Sequence, residues 1–244
     1  MGIISLRDDS LRIALVVRVI AAAHLTYGLY YEFFCIKPPS HLKNYTTGGK
    51  FKYMTNWNLC LETVYFWFAI VDSLVSECSD NEKKPLRKIR DHYFLSVVFP
   101  LSSFVSFTFW VLFAVDRELV MPKAVDQFFP SWLNHTVHTF IVVYSVLELL
   151  TSYHRCTQTI YKQCVALWIV TILYVIWCHI VHYQTNLWVY PILNELSFPF
   201  RMLFFLGCLL LATVFLTIGF YGNNSIWKRR IEKKSLDINS HNQV

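Results

Sequence analysis

The chain has 244 residues and a formal net charge of +6; 55% of its residues are hydrophobic and only 16% are charged. A soluble domain carries roughly 25% charged residues, and a single core of this size could not hide so much apolar surface. The composition therefore excludes a soluble globular enzyme, and the short basic clusters between apolar runs indicate membrane orientation rather than nucleic-acid binding.

Six segments in chain order reach the length of about 20 mostly apolar residues that a membrane-spanning helix needs. They are residues 13–34, 53–75, 92–115, 131–153, 164–186 and 199–221. The sequence predicts an all-α, polytopic integral membrane protein, with one six-helix transmembrane domain over residues 1–222 and a polar, basic cytosolic tail over residues 223–244. Pro100 predicts a kink in the third segment. The first apolar run is too long for a cleavable signal peptide, so we expect it to remain as an anchor.

The distribution of lysine and arginine predicts the orientation, because cytosolic loops carry the excess of positive charge. Fourteen basic residues fall in the N-terminus, the 76–91 and 154–163 loops and the C-terminal tail, and six fall in the loops on the other side. Both termini are therefore expected in the cytosol. The sequon that begins at Asn44 would then face the lumen or the exterior. The expected location is the endomembrane system, such as the endoplasmic reticulum, or the plasma membrane.

Several polar residues near the helix ends receive structural interpretations. Arg18 is expected to extend its side chain towards the cytosolic interface, and His24 to form hydrogen bonds within the bundle. Trp188 and Tyr190, beside Pro191, have the composition of an interfacial aromatic anchor. The seven cysteines show no disulfide or metal spacing and are interpreted as small buried hydrophobes.

Polar side chains at membrane depth are costly, so their positions carry the functional signal. In the second helix, Thr55, Asn58 and Glu62 are spaced i, i+3 and i+7, which places them on one face. That face should point into the bundle. From spacing alone, hydrogen bonding between helices is favoured over a catalytic role.

Two pairs of histidines have the spacing His-x-x-His, His135 with His138 and His179 with His182. A histidine can be a packing residue, a general base or a metal ligand. Four imidazoles could hold a metal ion in the membrane, so a metal-dependent enzyme stays open as an alternative. No carboxylate-rich cluster supports a di-iron site.

Depth along the membrane brings two of these residues to one level. His138 lies seven residues past Ser131, about 10 Å deep at 1.5 Å per residue, and Thr55 lies near the same side of the second helix. A threonine hydroxyl needs a base within hydrogen-bond reach to act as a nucleophile. No carboxylate lies at the right depth to orient His138, which leaves Asn58, Asn134 or a tyrosine to orient it. Asn58 and Asn134 are also the candidates for stabilising an oxyanion.

Several strings, in this order and spacing, resemble the family of androgen-induced and androgen-dependent TFPI-regulating proteins. The strings are GGKFKYMT at 48–55, Phe99-Pro100, Phe109-Trp110, DRELVMPK at 116–123, WLNHTVHT at 132–139 and WVYP at 188–191. The resemblance covers about residues 10–222. It departs at Phe51, where relatives often have Trp, and at Gly49, where some have Ala.

The resemblance implies a multi-pass hydrolase of fatty acid esters of hydroxy fatty acids, with no cofactor. It places the nucleophile at the end of the KYMT string, which is Thr55, and its histidine partner at the second histidine of NHxxH, which is His138. The substrate carboxylate would stay at the interface, where Lys50, Lys52 or Arg201 could bind it. A non-enzymatic membrane regulator or lipid-binding protein with the same fold is the other alternative.

Overall fold

The computed structural model describes residues 2–39, 49–77, 85–155 and 158–241. Within these ranges, six helices are long and apolar enough to cross a membrane, and no residue forms a β-strand. In chain order these spans are Leu11–Cys35, Met54–Val75, Pro85–Leu119, Ser131–Thr151, Ile160–Thr185 and Phe198–Arg230. The predicted all-α architecture with six spans is therefore confirmed.

The helical segments within these spans are interrupted in three of them. The α-helices are Gly2–Tyr30, Met54–Glu77, Pro85–Tyr93, Phe99–Asp116, Ser131–His135, Ile141–Thr151, Ile160–Thr185, Ile192–Glu195 and Phe198–His241. Wider π turns at Tyr31–Cys35, Phe94–Val98 and Thr136–Phe140 end or join the segments of the first, third and fourth spans. Short 3-10 turns lie at Lys50–Lys52, Arg117–Leu119 and Lys123–Gln127.

Two of these details follow from local sequence. Pro100 is the second residue after the second π turn, in the first turn of the next helix, where a proline is tolerated because an N–H there has no partner within the helix. The last helix continues to His241, well beyond the predicted end of the sixth segment at residue 221, because the Lys and Arg residues of this stretch have good helix propensity. The predicted boundary between the domain and the tail therefore falls inside one continuous helix.

The bundle buries polar side chains within an apolar core and exposes apolar side chains on its outer face, as suits a protein surrounded by lipid. The first span packs against the second and the fourth, and the third packs against the fourth and the sixth. Leu203 and Leu210 of the sixth span are more than half exposed on the outer face. Gly28 allows the first span to approach the fourth closely, because a Cβ there would lie 2.7 Å from the Thr136 methyl carbon.

The interior of the bundle also contains an ionic network that the sequence interpretation missed. Arg18 is only 2% exposed and donates hydrogen bonds of 2.6 and 3.0 Å to the Glu148 carboxylate. Tyr65 donates to the same carboxylate at 2.8 Å, and Arg18 also reaches Ser152 at 2.7 Å. The expectation that Arg18 extends to the interface is wrong, because a buried carboxylate on a neighbouring helix offers a better partner than the lipid headgroup region.

The structure also bears on the predictions for His24 and the cysteines. His24 does form hydrogen bonds within the bundle, at 2.7 Å to the Tyr144 hydroxyl and 3.0 Å to the Thr136 hydroxyl. Cys164 and Cys178 are buried, whereas Cys35 is exposed. The sequon at residues 44–46 lies outside the described residues.

Candidate active site

Thr55 is the second residue of the helix Met54–Glu77, at the end of the bundle that also carries the segments 49–53 and 120–130. The 3-10 turn Lys50–Lys52 leads into this helix, and the first bonds of the helix are those from the Asn56 and Trp57 amides to the Tyr53 carbonyl. Thr55 is therefore in the first helical turn, where backbone N–H groups have no partner within the helix.

The structure brings the hydroxyl of Thr55 and the imidazole of His138 into contact. The distance from Thr55 Oγ1 to His138 Nε2 is 3.3 Å, although 83 residues separate the two in sequence. This is the loose geometry expected of a nucleophile and its base before substrate binds. The similar membrane depth predicted for Thr55 and His138 therefore corresponds to a contact between the second and fourth spans.

The other ring nitrogen of His138 is held by Asn134, one helical turn earlier. Nδ1 lies 2.8 Å from Asn134 Oδ1 and 3.1 Å from the Asn134 carbonyl oxygen. Both oxygens are acceptors, so Nδ1 carries the proton and Nε2 presents its lone pair to Thr55. Of the candidates for orienting the histidine, Asn134 occupies that position.

A π turn and an aromatic ring fix the position of the imidazole. His138 lies in the π turn Thr136–Phe140, and its ring stacks on Phe109 with a centroid distance of 3.4 Å. The His138 carbonyl oxygen accepts hydrogen bonds from Ser106 Oγ and Trp110 Nε1 of the third span. In this turn, hydrogen bonds from the third span replace the regular bonds within the helix. Such π turns frequently occur at functional sites.

Thr55 and His138 both line a cavity of about 400 Å³. Its wall is mostly apolar and is formed by residues of every span, including Phe104, Phe109, Leu112, Ile172, Phe204 and Leu209. Glu32, Lys50, Asn56 and Tyr190 give it polar positions near Thr55. An apolar cavity with a few convergent polar groups is the usual form of a site for an amphiphilic small molecule.

Two tyrosines in this wall contact the helix end that bears Thr55. The Met54 amide donates to the Tyr174 hydroxyl at 2.9 Å and to the Tyr190 hydroxyl at 3.1 Å. Tyr190 also contacts the side chain of Thr55. Tyr190 is predicted as an interfacial aromatic anchor, and the structure shows that its hydroxyl also contacts the start of the helix that bears Thr55. The WVYP string that contributed to the resemblance was the only signal in the sequence that pointed to it.

Asn58 lies away from the Thr55–His138 pair. Its side chain bonds to the Glu62 carboxylate at 3.4 Å and accepts a bond from Ser102 at 3.2 Å. Glu62 is fully buried and also accepts from Ser102 at 2.7 Å and from Ser145 at 3.2 Å. As the spacing predicts, Asn58 and Glu62 face the interior of the bundle. At their depth, hydrogen bonds from this helix face join the second, third and fourth spans.

The three basic candidates for carboxylate binding have different positions, and of the three only Lys50 lines the cavity. Its ammonium group donates to the carbonyl oxygens of Glu32 and Ile36 and lies 3.6 Å from the Glu32 carboxylate. Lys52 is buried, with its ammonium 5.1 Å from the centre of the Tyr53 ring. Arg201 donates to the carbonyl oxygens of Leu193 and Leu196 and lies over the Trp188 ring.

The four histidines of the metal hypothesis do not converge. His182 stacks on Trp188 with a centroid distance of 4.0 Å, and His179 Nδ1 lies 2.8 Å from the Val175 carbonyl oxygen. Across the part of the chain that the structure describes, no three His, Cys, Asp or Glu side chains form a group that could hold a metal ion. This geometry gives the metal-dependent alternative no support.

The fold and the site together define a multi-pass α-helical membrane protein with a Thr–His pair at the wall of an apolar cavity. Comparison with known proteins then identifies the family. A sequence profile described as FAR-17a/AIG1-like protein matches residues 13–223, and the chain belongs to this family.

Individual relatives agree with this assignment. The human androgen-induced gene 1 protein is 32% identical over 200 residues, which cover 79% of this chain and 82% of the relative. The androgen-dependent TFPI-regulating protein of Mesocricetus auratus is 33% identical over 78% of this chain and 83% of its own length. A protein of Schizosaccharomyces pombe named UPF0641 membrane protein is 24% identical over 62% of this chain. No solved structure matches the chain.

Proposed function

We propose that this protein hydrolyses fatty acid esters of hydroxy fatty acids, with Thr55 as the nucleophile and His138 as its general base. The observation that carries the proposal is the 3.3 Å contact between Thr55 Oγ1 and His138 Nε2 at the wall of an apolar cavity. Membership of the family supports a role in a membrane, and the threonine and histidine stand in the strings by which the sequence resembles that family.

The reaction proceeds through a covalent intermediate. His138 Nε2 takes the proton of Thr55 as the threonine oxygen bonds to the ester carbonyl carbon, and the electron pair of the carbonyl moves to its oxygen. When this tetrahedral intermediate collapses, the bond to the alcohol oxygen breaks and His138 returns the proton to the departing hydroxy fatty acid. A water molecule, deprotonated by the same imidazole, then cleaves the acyl-threonine and releases the second fatty acid.

Asn134 gives the histidine the correct tautomer for both steps. Because Asn134 Oδ1 accepts the Nδ1 proton at 2.8 Å, Nε2 stays unprotonated until it receives the proton from Thr55. Burial of the pair in the cavity wall removes competing water and strengthens the interactions that develop in the transition state.

The test is hydrolysis of a branched fatty acid ester by purified protein in detergent. Thr55→Ala and His138→Ala should each lower kcat by at least about 10³-fold, whereas Thr55→Ser should retain measurable hydrolysis because it keeps the hydroxyl. Mass spectrometry should find an acyl group on Thr55 when the reaction is quenched during turnover.

Matched controls separate chemistry from folding. Thr63→Ala removes another buried hydroxyl of the same helix, one that donates to the Leu59 carbonyl and does not line the cavity. His135→Ala removes the neighbouring, exposed histidine. Both should keep wild-type kcat. Hydrolysis that survives Thr55→Ala would rule out the covalent mechanism, and no hydrolysis by wild-type protein would favour a regulatory role such as the names of some relatives describe.

The free carboxylate of the substrate provides a test of the substrate class. Lys50 lines the cavity, but its three N–H donors already face the Glu32 carboxylate and two backbone carbonyl oxygens. If Lys50 nonetheless binds the carboxylate, Lys50→Gln should raise KM for the free acid and leave KM for its methyl ester unchanged. Equal effects on both substrates would show that Lys50 only fastens the Lys50–Lys52 turn to the first span.

A further inference from the structure

The helix that bears Thr55 begins between two tyrosine hydroxyls that differ in their hydrogen bonds. Tyr174 comes from the fifth span, and its hydroxyl donates to the Lys52 carbonyl at 2.8 Å. Tyr190 comes from the segment between the fifth and sixth spans, and its oxygen accepts the Met54 amide at 3.1 Å. The two hydroxyl oxygens are 3.5 Å apart, with Tyr174 as the donor, so among the described residues the Tyr190 proton has no acceptor.

The Tyr190 hydroxyl contacts the Thr55 side chain at one end of a hydrogen-bonded chain. In that chain Thr55 donates to His138 Nε2, and His138 Nδ1 donates to Asn134. When the Thr55 oxygen bonds to the substrate carbon, the Tyr190 hydroxyl lies beside the reacting atoms with its own proton still available. The new oxyanion is attached to that same carbon, so a small rotation carries the Tyr190 proton to it.

A second donor lies beside the first. The helix bonds begin at Asn56, and among the described residues the structure gives the Thr55 N–H no acceptor. The N–H of the nucleophile itself commonly contributes to an oxyanion hole, and the partial positive charge of a helix N-terminus favours developing negative charge.

We propose that the Tyr190 hydroxyl, together with the Thr55 backbone N–H, stabilises the oxyanion of the tetrahedral intermediate. This inference rests on the proposed hydrolase function and names a further catalytic residue for it. It replaces Asn58, whose amide is engaged with Glu62 and Ser102, and Asn134, whose side-chain oxygen faces the histidine.

The protonation state of Tyr190 suits a donor. Burial raises its pKa from 10 to about 12, against the opposing effect of its bonds to Tyr174, Met54 and Thr55. The hydroxyl therefore keeps its proton throughout the neutral and mildly alkaline range, and it lines the same cavity as Thr55.

The experiment compares Tyr190→Phe with Tyr174→Phe, because each removes one hydroxyl that contacts the Met54 amide. Removing one oxyanion donor costs about 10²- to 10³-fold in kcat, so Tyr190→Phe should lose that much with KM within about two-fold. Tyr174→Phe should lower the melting temperature and change kcat by less than about ten-fold, because its hydroxyl holds the Lys52 carbonyl rather than the reacting atoms.

A binding measurement distinguishes catalysis from structure. A trifluoromethyl ketone analogue forms a tetrahedral adduct with Thr55, whereas an ether analogue of the substrate only occupies the cavity. Tyr190→Phe should weaken binding of the ketone by about 10²-fold and leave binding of the ether unchanged, since only the transition state carries the oxyanion. Equal losses for both ligands, or a kcat within three-fold of wild type, would overturn the proposal.

A second variant covers the case in which Tyr190→Phe does not fold. Fluorinated tyrosine at position 190 keeps the ring and the hydroxyl but lowers the hydroxyl pKa, so kcat should fall at a lower alkaline pH than in wild type. The same replacement at position 174 should leave the profile unchanged. Suppose that Thr55→Ala is inactive and that fluorinated tyrosine at position 190 does not shift the pH dependence of kcat. The oxyanion role of Tyr190 is then wrong, while the hydrolase function stands. Activity in Thr55→Ala would remove both.

Discussion

His138 is held from two sides, and the two contacts have different consequences. Thr55 lies 3.3 Å from Nε2, where the proton must move, and Asn134 lies 2.8 Å from Nδ1, where the proton must stay. The carbonyl oxygen of Asn134 supports the same nitrogen at 3.1 Å. The imidazole therefore has a backbone acceptor that mutation of the Asn134 side chain does not remove.

Replacing Asn134 by alanine should slow hydrolysis without abolishing it. Loss of the partner that sets a catalytic tautomer can cost up to about 10⁴-fold, but the remaining carbonyl acceptor should limit the loss in kcat to about 10-fold. Steady-state kinetics of Asn134→Ala and Asn134→Gln measure this. A loss as large as that of His138→Ala would show that the amide itself takes part in the chemistry.

Lys52 should make stability depend on pH above neutrality. It is only 4% exposed, and burial lowers its pKa from 10.5 to about 8. Between these values the unfolded chain binds the proton and the folded chain does not, so the free energy of unfolding rises as pH increases from about 8 to about 10.5. This contribution is absent at neutral pH, where both states are protonated.

Melting temperatures of wild type and Lys52→Met in detergent between pH 7 and 10.5 isolate this contribution. The wild type should gain stability relative to the variant as pH rises, at about 2–4 °C per kcal/mol for a chain of this length. A constant difference between the two proteins would contradict the burial-induced shift.

At the scale of helices, the ionic network joins elements far apart in sequence. Arg18 of the first span, Glu148 of the fourth and Tyr65 of the second meet in the interior. At the nearby ends of the spans, Arg90 bonds to Asp72 at 2.8 Å and to Asp91 at 2.6 Å. These contacts fix the neighbours of the second and fourth spans, which carry Thr55 and His138.

Breaking one side of this network should be more harmful than removing both. Loss of one partner of a buried ion pair costs about 3–5 kcal/mol, whereas an apolar replacement of both is often nearly neutral. Arg18→Leu should therefore lower the melting temperature strongly, and Arg18→Leu combined with Glu148→Leu should recover much of the loss.

The surface ion pair between Arg117 and Asp126 is the matched control. Its distance is also 2.6 Å, but Asp126 is half exposed, so Asp126→Asn should change stability by no more than about 1 kcal/mol. If the double variant at Arg18 and Glu148 is instead less stable than Arg18→Leu alone, the cost of Arg18→Leu does not come from leaving the Glu148 charge unpaired. Glu148 would then contribute to stability through its other hydrogen bonds.

At the scale of the whole molecule, the six spans place both termini on one side, and the distribution of basic residues predicts that this side is the cytosol. The Thr55 end of the bundle would then face the lumen or the exterior. A substrate would reach the cavity from that leaflet.

Protease protection in sealed microsomes tests this orientation. An epitope tag at the C-terminus should be digested from the cytosolic side without detergent. A tag that is protected until detergent is added would reverse the topology and move the cavity entrance to the cytosolic leaflet. Digestion in the presence of detergent serves as the control for tag accessibility.

Much of the site could be predicted from the sequence, because counting residues along a helix gives both the membrane depth of a side chain and the helix face on which it lies. A rise of 1.5 Å per residue gives the level of Thr55 and His138, and the i, i+3, i+7 spacing gives the inward face of the second helix. The family resemblance then selected this pair from several polar alternatives. Their catalytic roles stay predictions until the variants are measured.

Counting along a helix does not say which helices are neighbours, and this is what the tertiary structure decided. Arg18 was expected at the interface because its partner Glu148 is 130 residues away in sequence. The contacts of Tyr190 with Met54 and Thr55 were not predicted because its segment is far from theirs in sequence. Apolar periodicity and length determined the six spans, since each depends only on local sequence. The partners of buried polar groups depend on how the spans are arranged around one another, and so only the folded bundle could show them.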